Sequence, residues 1–180
     1  MIPASKPKIT QESIAEILHR YNIEGLAIVG IRGYYRDTMG KAGANDRGIY
    51  DDAVVVISPT AYATFNGNTD PSITRRGVAV LKPGVWWYKI GIHGLSKPAA
   101  RRYKALVQAG KVTVTRDGKG EDTGMFGINI HRGARSSTSS LGCQTIPPDQ
   151  WPSFIGLAEG EMARHGAKTI PYILIDNEQW

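Results

Sequence analysis

Apolar positions along the chain follow two periods. Ile14, Ile17, Leu18 and Tyr21 recur at helical spacing, which predicts an amphipathic helix over residues 10–21 with Thr10 as its N-cap and Glu12 in the first turn. His19 falls near the end of that helix, where it complements the helix dipole. Leu26–Ile31 and Ala53–Ile57 are short runs of almost purely apolar residues, the pattern of strands buried on both faces. Tyr62–Phe65 is expected to pair with the second run, with Asn66-Gly67 as turn residues. Gly77–Leu81, Val85–Ile92, Lys111–Thr115 and Thr169–Ile175 also read as strands, and the adjacent Trp86 and Trp87 should face opposite sides. Ser96–Gln108, with Pro98 in its first turn and Tyr103, Leu106 and Val107 as an apolar side, predicts a helix. A second helix should open at Pro147-Pro148-Asp149 and run to about Arg164, with Trp151, Phe154, Ile155, Ala158 and Met162 on its apolar face.

Long polar stretches interrupt these elements. Arg32–Asp52 has several glycines and carries Tyr34, Tyr35 and Arg36; it suits either a substrate-binding wall or a solvated excursion. Arg116–Gly124 is charged and Gly-rich and reads as a loop; its acidic residues lack a calcium-loop spacing. The sum is an α+β chain of 180 residues: one β-rich mixed domain, a sheet or sandwich with peripheral helices, on which residues 1–24 pack as an N-terminal helical segment. The 21 glycines and ten prolines fit a fold with many turns.

One stretch carries chemistry. Met125–His131 alternates apolar and polar residues and reads as a strand ending on His131; Cys143–Ile146 begins another. Between them lies a polar run, Ser137-Thr138-Ser139-Ser140, that a core strand would not hold. This order can bring an imidazole to a thiol, the requirement for cysteine nucleophilic catalysis. Cys143 is the only cysteine, so no disulfide forms within the chain, and one Cys with four scattered His does not match zinc spacing. No metal and no cofactor is expected. The bland alternative is a packed, inert thiol.

The residues Ile130-His131, Gly133 and Ser140-Leu141-Gly142-Cys143 resemble the signature of L,D-transpeptidase (YkuD-type) catalytic domains, also found in lysis proteins of bacteriophages. The resemblance spans residues 128–146 and implies roles by position. Cys143 would be the nucleophile, His131 its base, and Ser140 the residue that orients the base. Backbone N–H groups around Gly142 and Cys143 would hold the oxyanion, with Gln144 beside them. The chain departs from that family at Arg132, which is inserted before the glycine, in its shorter loop, and at Gln144 and Thr145, where an aliphatic residue and an arginine are usual. Arg132 or Arg135 is the expected substitute for the arginine, with Ser139 and Tyr35 as further substrate contacts. A second Ile-His-Gly, at Ile92-His93-Gly94, makes His93 a candidate for orienting the substrate or the base.

The implied function is hydrolysis of peptidoglycan stem peptides by a phage-type endolysin. The alternatives are an L,D-transpeptidase or carboxypeptidase of wall maturation, a cysteine peptidase of other substrates, and a non-catalytic binding domain with a packed Cys143. The net charge of +6 favours an anionic partner such as the bacterial wall; no zinc-finger, RNA-recognition or zipper pattern points to nucleic acid. Residues 1–11 lack the apolar core of a secretory signal, and no apolar run is long enough for stable membrane insertion. The expectation is a monomer made in the host cytoplasm, which reaches the periplasmic wall after release by a separate membrane-permeabilising protein.

Overall fold

The computed structural model describes Met1–Trp180 and is mostly sheet with two helices. Helix α1 (Gln11–Arg20) is capped by Thr10, whose hydroxyl accepts the Ser13 N–H. The strands are β1 (Ala27–Arg32), β2 (Asp52–Ile57), β3 (Tyr62–Gly67), β4 (Ala79–Leu81), β5 (Gly84–His93), β6 (Tyr103–Gln108), β7 (Val112–Arg116), β8 (Gly120–Gly124), β9 (Ile130–Arg132), β10 (Gln144–Ile146) and β11 (Ile170–Asp176). Helix α2 (Trp151–Arg164) lies between the last two strands. No helix is long and apolar enough to cross a membrane.

Eight strands form one mixed sheet in the order β10-β9-β6-β5-β11-β1-β2-β3, and β4-β7-β8 form a small second sheet. The large sheet nearly closes. Just past β3, the Asn68 N–H donates to the Thr145 carbonyl and the Thr145 N–H to that of Asn68, each at 2.8 Å, so β10 meets the far edge through one bridged pair.

The apolar runs are explained by two cores, one on each face. Ala27, Val29 and Ile31 of β1, Ala53, Val55 and Ile57 of β2, and Ile173 and Ile175 of β11 pack with Ile14, Ile17 and Leu18 of α1. The alternate residues Ile28, Val54, Val56, Tyr172 and Leu174 face the larger core with Trp151, Phe154, Ala158 and Met162 of α2. Burial of each Val, Ile, Leu, Phe or Met side chain among these contributes about 1.5–3 kcal/mol.

Four expected elements differ. The helix over Ser96–Gln108 is instead a single 3-10 turn at Ala99–Arg101 followed by strand β6, hydrogen-bonded between β5 and β9. The apolar set Tyr103, Leu106 and Val107 fits either period, and pairing on both edges decides for strand. The loop 116–124 contains β8, folded onto β7 through the turn Asp117-Gly118-Lys119, a hairpin signal in an otherwise polar segment. Asn66 and Gly67 lie inside β3, and the hairpin turns earlier, at Ser58–Ala61. Of Met125–His131 only the end is strand, because Gln108 draws the Phe126 and Ile128 N–H groups to its side-chain carbonyl.

The polar stretch 33–50 has no helix or strand and is held from beneath by buried carboxylates. Asp52 accepts the N–H groups of Gly33 and Thr69; Asp51 accepts that of Asp46; Asp70 pairs with Arg32. Burial pushes the Asp51 carboxyl up to about 6, and burial, with help from Asp51 and Asp70, pushes Asp52 well above the ordinary carboxyl range. A carboxyl whose folded pKa is raised stabilises the fold below its unfolded pKa, and that contribution is lost as pH rises through the folded value. Asp51→Asn should therefore be more stable than wild type by about 1–2 kcal/mol at pH 7.5, with the gain vanishing near pH 4, as read by urea unfolding at both pH values. An equal difference at both would refute the burial account.

Candidate active site

Strands β9 and β10 run parallel, with Gln144 opposite Ile130 and Thr145 opposite His131. Side chains alternate along a strand, so this register, continued one residue back to Asn129 and Cys143, puts Cys143, Asn129 and His131 on one face of the sheet, with the cysteine two residues before the histidine's partner. Ile130 and Ile146 point the other way, into the core.

Each member has defined neighbours. Cys143 is half-buried; its thiol donates to the Gly127 carbonyl and accepts the Asn129 N–H, both at 3.4 Å. Burial pushes the thiol pKa up, against smaller opposing effects of the Asn129 N–H and Lys97. The Gly127 carbonyl favours the same neutral form, because it accepts from the thiol and would repel a thiolate. His131 is 4% exposed. Its Nδ1 lies 2.9 Å from the Arg132 carbonyl and 3.3 Å from the Tyr103 hydroxyl, which itself donates to that carbonyl. A carbonyl accepts only, so the proton sits on Nδ1 and Nε2 is left as the basic nitrogen. Burial, then the neighbouring His93, lowers the His131 pKa to about 4. The resting pair is thus neutral thiol and neutral imidazole, with no hydrogen bond between them.

His93 stacks on His131, ring centroids 4.1 Å apart and planes 22° from parallel. Its orientation is set by Asn129. The Asn129 side-chain carbonyl accepts the Gln108 N–H at 3.3 Å, so its amide N–H₂ faces His93 Nδ1 at 3.4 Å. His93 is therefore placed beside the base and on the solvent side of it.

Comparison with known protein families, curated proteins and solved structures gave no match.

Ser140 does not touch the imidazole. Its hydroxyl donates to the Cys143 carbonyl at 2.6 Å and accepts the Gly142 N–H at 3.0 Å, which fixes the backbone before the nucleophile. Two expected oxyanion donors are thereby removed: the Gly142 N–H is taken by Ser140, and the Gln144 N–H by the Asn129 carbonyl. The Cys143 N–H makes no hydrogen bond within the chain and is the free donor beside the sulfur. Gln144 is buried, its amide spanning the Gly142 carbonyl and the Tyr172 hydroxyl. Gly142 has φ +135°, and a Cβ there would lie 2.7 Å from the Ala79 carbonyl oxygen, so the turn into Cys143 requires glycine.

The other expected contacts divide. The Arg132 guanidinium lies 4.9 Å from the centre of the Tyr103 ring, at the edge of the site. Arg135 and Ser139 are exposed on the Ser-rich loop. Tyr35 is not brought to the site: its hydroxyl bonds the Ser5 carbonyl and Asn66, and burial pushes its pKa up to about 12. The stretch 33–50 reaches the site instead through buried Tyr50, whose hydroxyl donates to the Ala134 carbonyl at 2.8 Å. A Cβ on Gly133 would fall 2.0 Å from that hydroxyl, which accounts for the glycine after Arg132.

Asn129, Tyr103 and Ser72 escaped the sequence reading. Asn129 stands two residues before His131, so the alternation of a strand was signal enough to place it beside the histidine. Tyr103 fits the apolar side of the expected helix as well as it fits a strand, which hides its place beside His131. Ser72, which accepts the Ser140 N–H at 2.8 Å, gives no local signal.

Proposed function

We propose that the chain is a cysteine-nucleophile hydrolase of peptidoglycan stem peptides, with an L,D-transpeptidase-like centre, of the phage endolysin type. The observation that carries this reading is the parallel pairing of β9 and β10, which sets Cys143 and His131 on one face with the His131 Nε2 unprotonated. His131 Nε2 takes the thiol proton as the sulfur attacks the carbonyl carbon of a stem-peptide bond. The oxyanion is met by the Cys143 N–H, a contact of a kind worth about 3 kcal/mol in transition-state binding. Collapse expels the amine, which leaves with the proton from His131, and a thioester remains. Water attacks the thioester, gives its proton to His131, and releases the acid; the thiol is restored. An amine in place of water would make the reaction a transpeptidation. No cofactor or metal takes part in these steps.

Basic charge supports attraction to an anionic wall, and delivery would fall to a separate membrane-permeabilising protein. The burial-raised thiol pKa favours a second reading, a binding domain in which Cys143 is packed. Digestion of purified Gram-negative sacculi, with products weighed by mass spectrometry, separates the two. Released or trimmed stem peptides are expected; intact sacculi after incubation with folded protein would overturn hydrolysis.

A further inference from the structure

Trp86 and Trp87 are neighbours on β5 with opposite surroundings. Trp86 packs against the larger core, and its indole N–H donates to the Lys82 carbonyl at 2.9 Å. Trp87 is 46% exposed, and its indole N–H has no partner within the chain. It lines a groove of about 470 Å³ beyond the end of α1. Asn22 and Glu24, on the chain leaving that helix, and Thr169 and Pro171, on the chain entering β11, belong to the other walls.

The groove lies on the sheet face that carries the candidate site. Trp87 pairs with Pro171 and His93 with Tyr103, and residues 87, 89, 91 and 93 alternate onto one face of β5. Val85, before them on that face, packs into the core under α1. Past Trp87 the face is open. Lys89 is exposed, and Gly91 keeps the floor low, since a Cβ there would fall 2.5 Å from Val107 Cγ2. The row ends on His93, whose ring stacks on the base His131. At strand spacing, Trp87 stands about 20 Å from His93 along this row.

The lining selects a ligand. No lysine, arginine or histidine lines the groove, so it is not matched to an anion. The side chains of Asn22, Glu24 and Thr169 have no hydrogen bond or ion pair within the chain, and a purely apolar ligand would leave them unanswered. A sugar ring answers both: its C–H face lies on the indole, and its hydroxyl and acetamido groups reach the amide, carboxylate and hydroxyl. Length points the same way. A four-residue peptide extends to at most about 14 Å. With its scissile bond at Cys143, a stem peptide ends short of Trp87, and the glycan strand that bears it continues toward the groove.

We propose that Trp87 and its groove bind an N-acetylated sugar of the peptidoglycan glycan strand, which seats the wall while the stem peptide lies along β5 toward Cys143. This rests on the hydrolase reading for its choice of glycan.

The test titrates the full native chain with chitotetraose, a peptide-free oligomer of N-acetylglucosamine, and follows binding by NMR. Binding is expected, and Trp87→Ala should weaken it at least about tenfold. Trp87→Phe, which keeps an aromatic face, should stay within about threefold of wild type. No binding by wild type, or equal binding by the alanine variant, would overturn the assignment. A protein that dimerises through Trp87 and ignores the oligosaccharide would overturn it too, with a second copy as the occupant. Sacculus digestion at limiting substrate keeps the two ideas apart. Intact sacculi with Trp87-dependent sugar binding would remove the hydrolase and leave the sugar site; digestion by Trp87→Ala at the wild-type rate would do the reverse.

Discussion

Cys143→Ala is expected to abolish stem-peptide release from sacculi, by at least about a thousandfold, while leaving the fold intact. The loss follows from removing the atom that forms the thioester, since the residual rate must come from oxyanion and substrate contacts alone. The fold should tolerate the change because the thiol makes only two long hydrogen bonds, so unfolding by urea should match wild type within about 1 kcal/mol. Cys143→Ser should be comparably inactive. The raised thiol pKa adds a second readout: alkylation of wild type by iodoacetamide should be slow at pH 7 and rise steeply above pH 9. Full cleavage by the alanine variant would remove Cys143 from the mechanism.

His131→Ala should lower kcat by about a hundred- to ten-thousandfold, the usual contribution of a positioned base. The wild-type pH profile is the sharper measurement. With its pKa lowered to about 4, His131 is unprotonated and able to accept a proton throughout pH 5–8. The acid limb of kcat/KM should therefore fall near pH 4 and not near the ordinary histidine value of 6.5. Its effect on stability has the opposite sign to that of Asp51. A buried imidazole with a lowered pKa withholds stability as pH falls from 6.5 through about 4, whereas the raised carboxyl adds stability over a similar range. The two oppose each other in wild type, so each must be read from its own variant. An acid limb near 6.5 would mean that His131 is not the base.

Much of this arrangement was written in local pattern. Ile14, Ile17 and Leu18 announce α1, the double-sided runs of β1, β2 and β11 announce strands with a core on each face, and the residues around His131 and Cys143 announce paired strand ends. What escaped was set by contacts distant in sequence. Tyr103 through Gln108 carries an apolar set that suits either a helix or a strand, and only the neighbours β5 and β9 decide. Ser140 looked like a partner for the histidine because it stands near the cysteine in sequence. In space the nearest unsatisfied groups are the Gly142 N–H and the Cys143 carbonyl, and the hydroxyl goes to them. Tyr35 and Tyr50 share one polar stretch, yet it is Tyr50 that is buried under Gly133, and nothing in their immediate sequence separates the two.

The place of β11 has a bearing on when the protein becomes chemically competent. It is the last strand in the chain and lies between β5 and β1, so it joins the half-sheet β10-β9-β6-β5 to the half-sheet β1-β2-β3. Until residues 170–176 pair, the two halves share no central strand and meet only through the core around α2 and the Asn68–Thr145 pair. The nascent polypeptide therefore carries both its thiol and its imidazole long before it has the frame that aligns them, and the final strand acts as the closing stave of the cask.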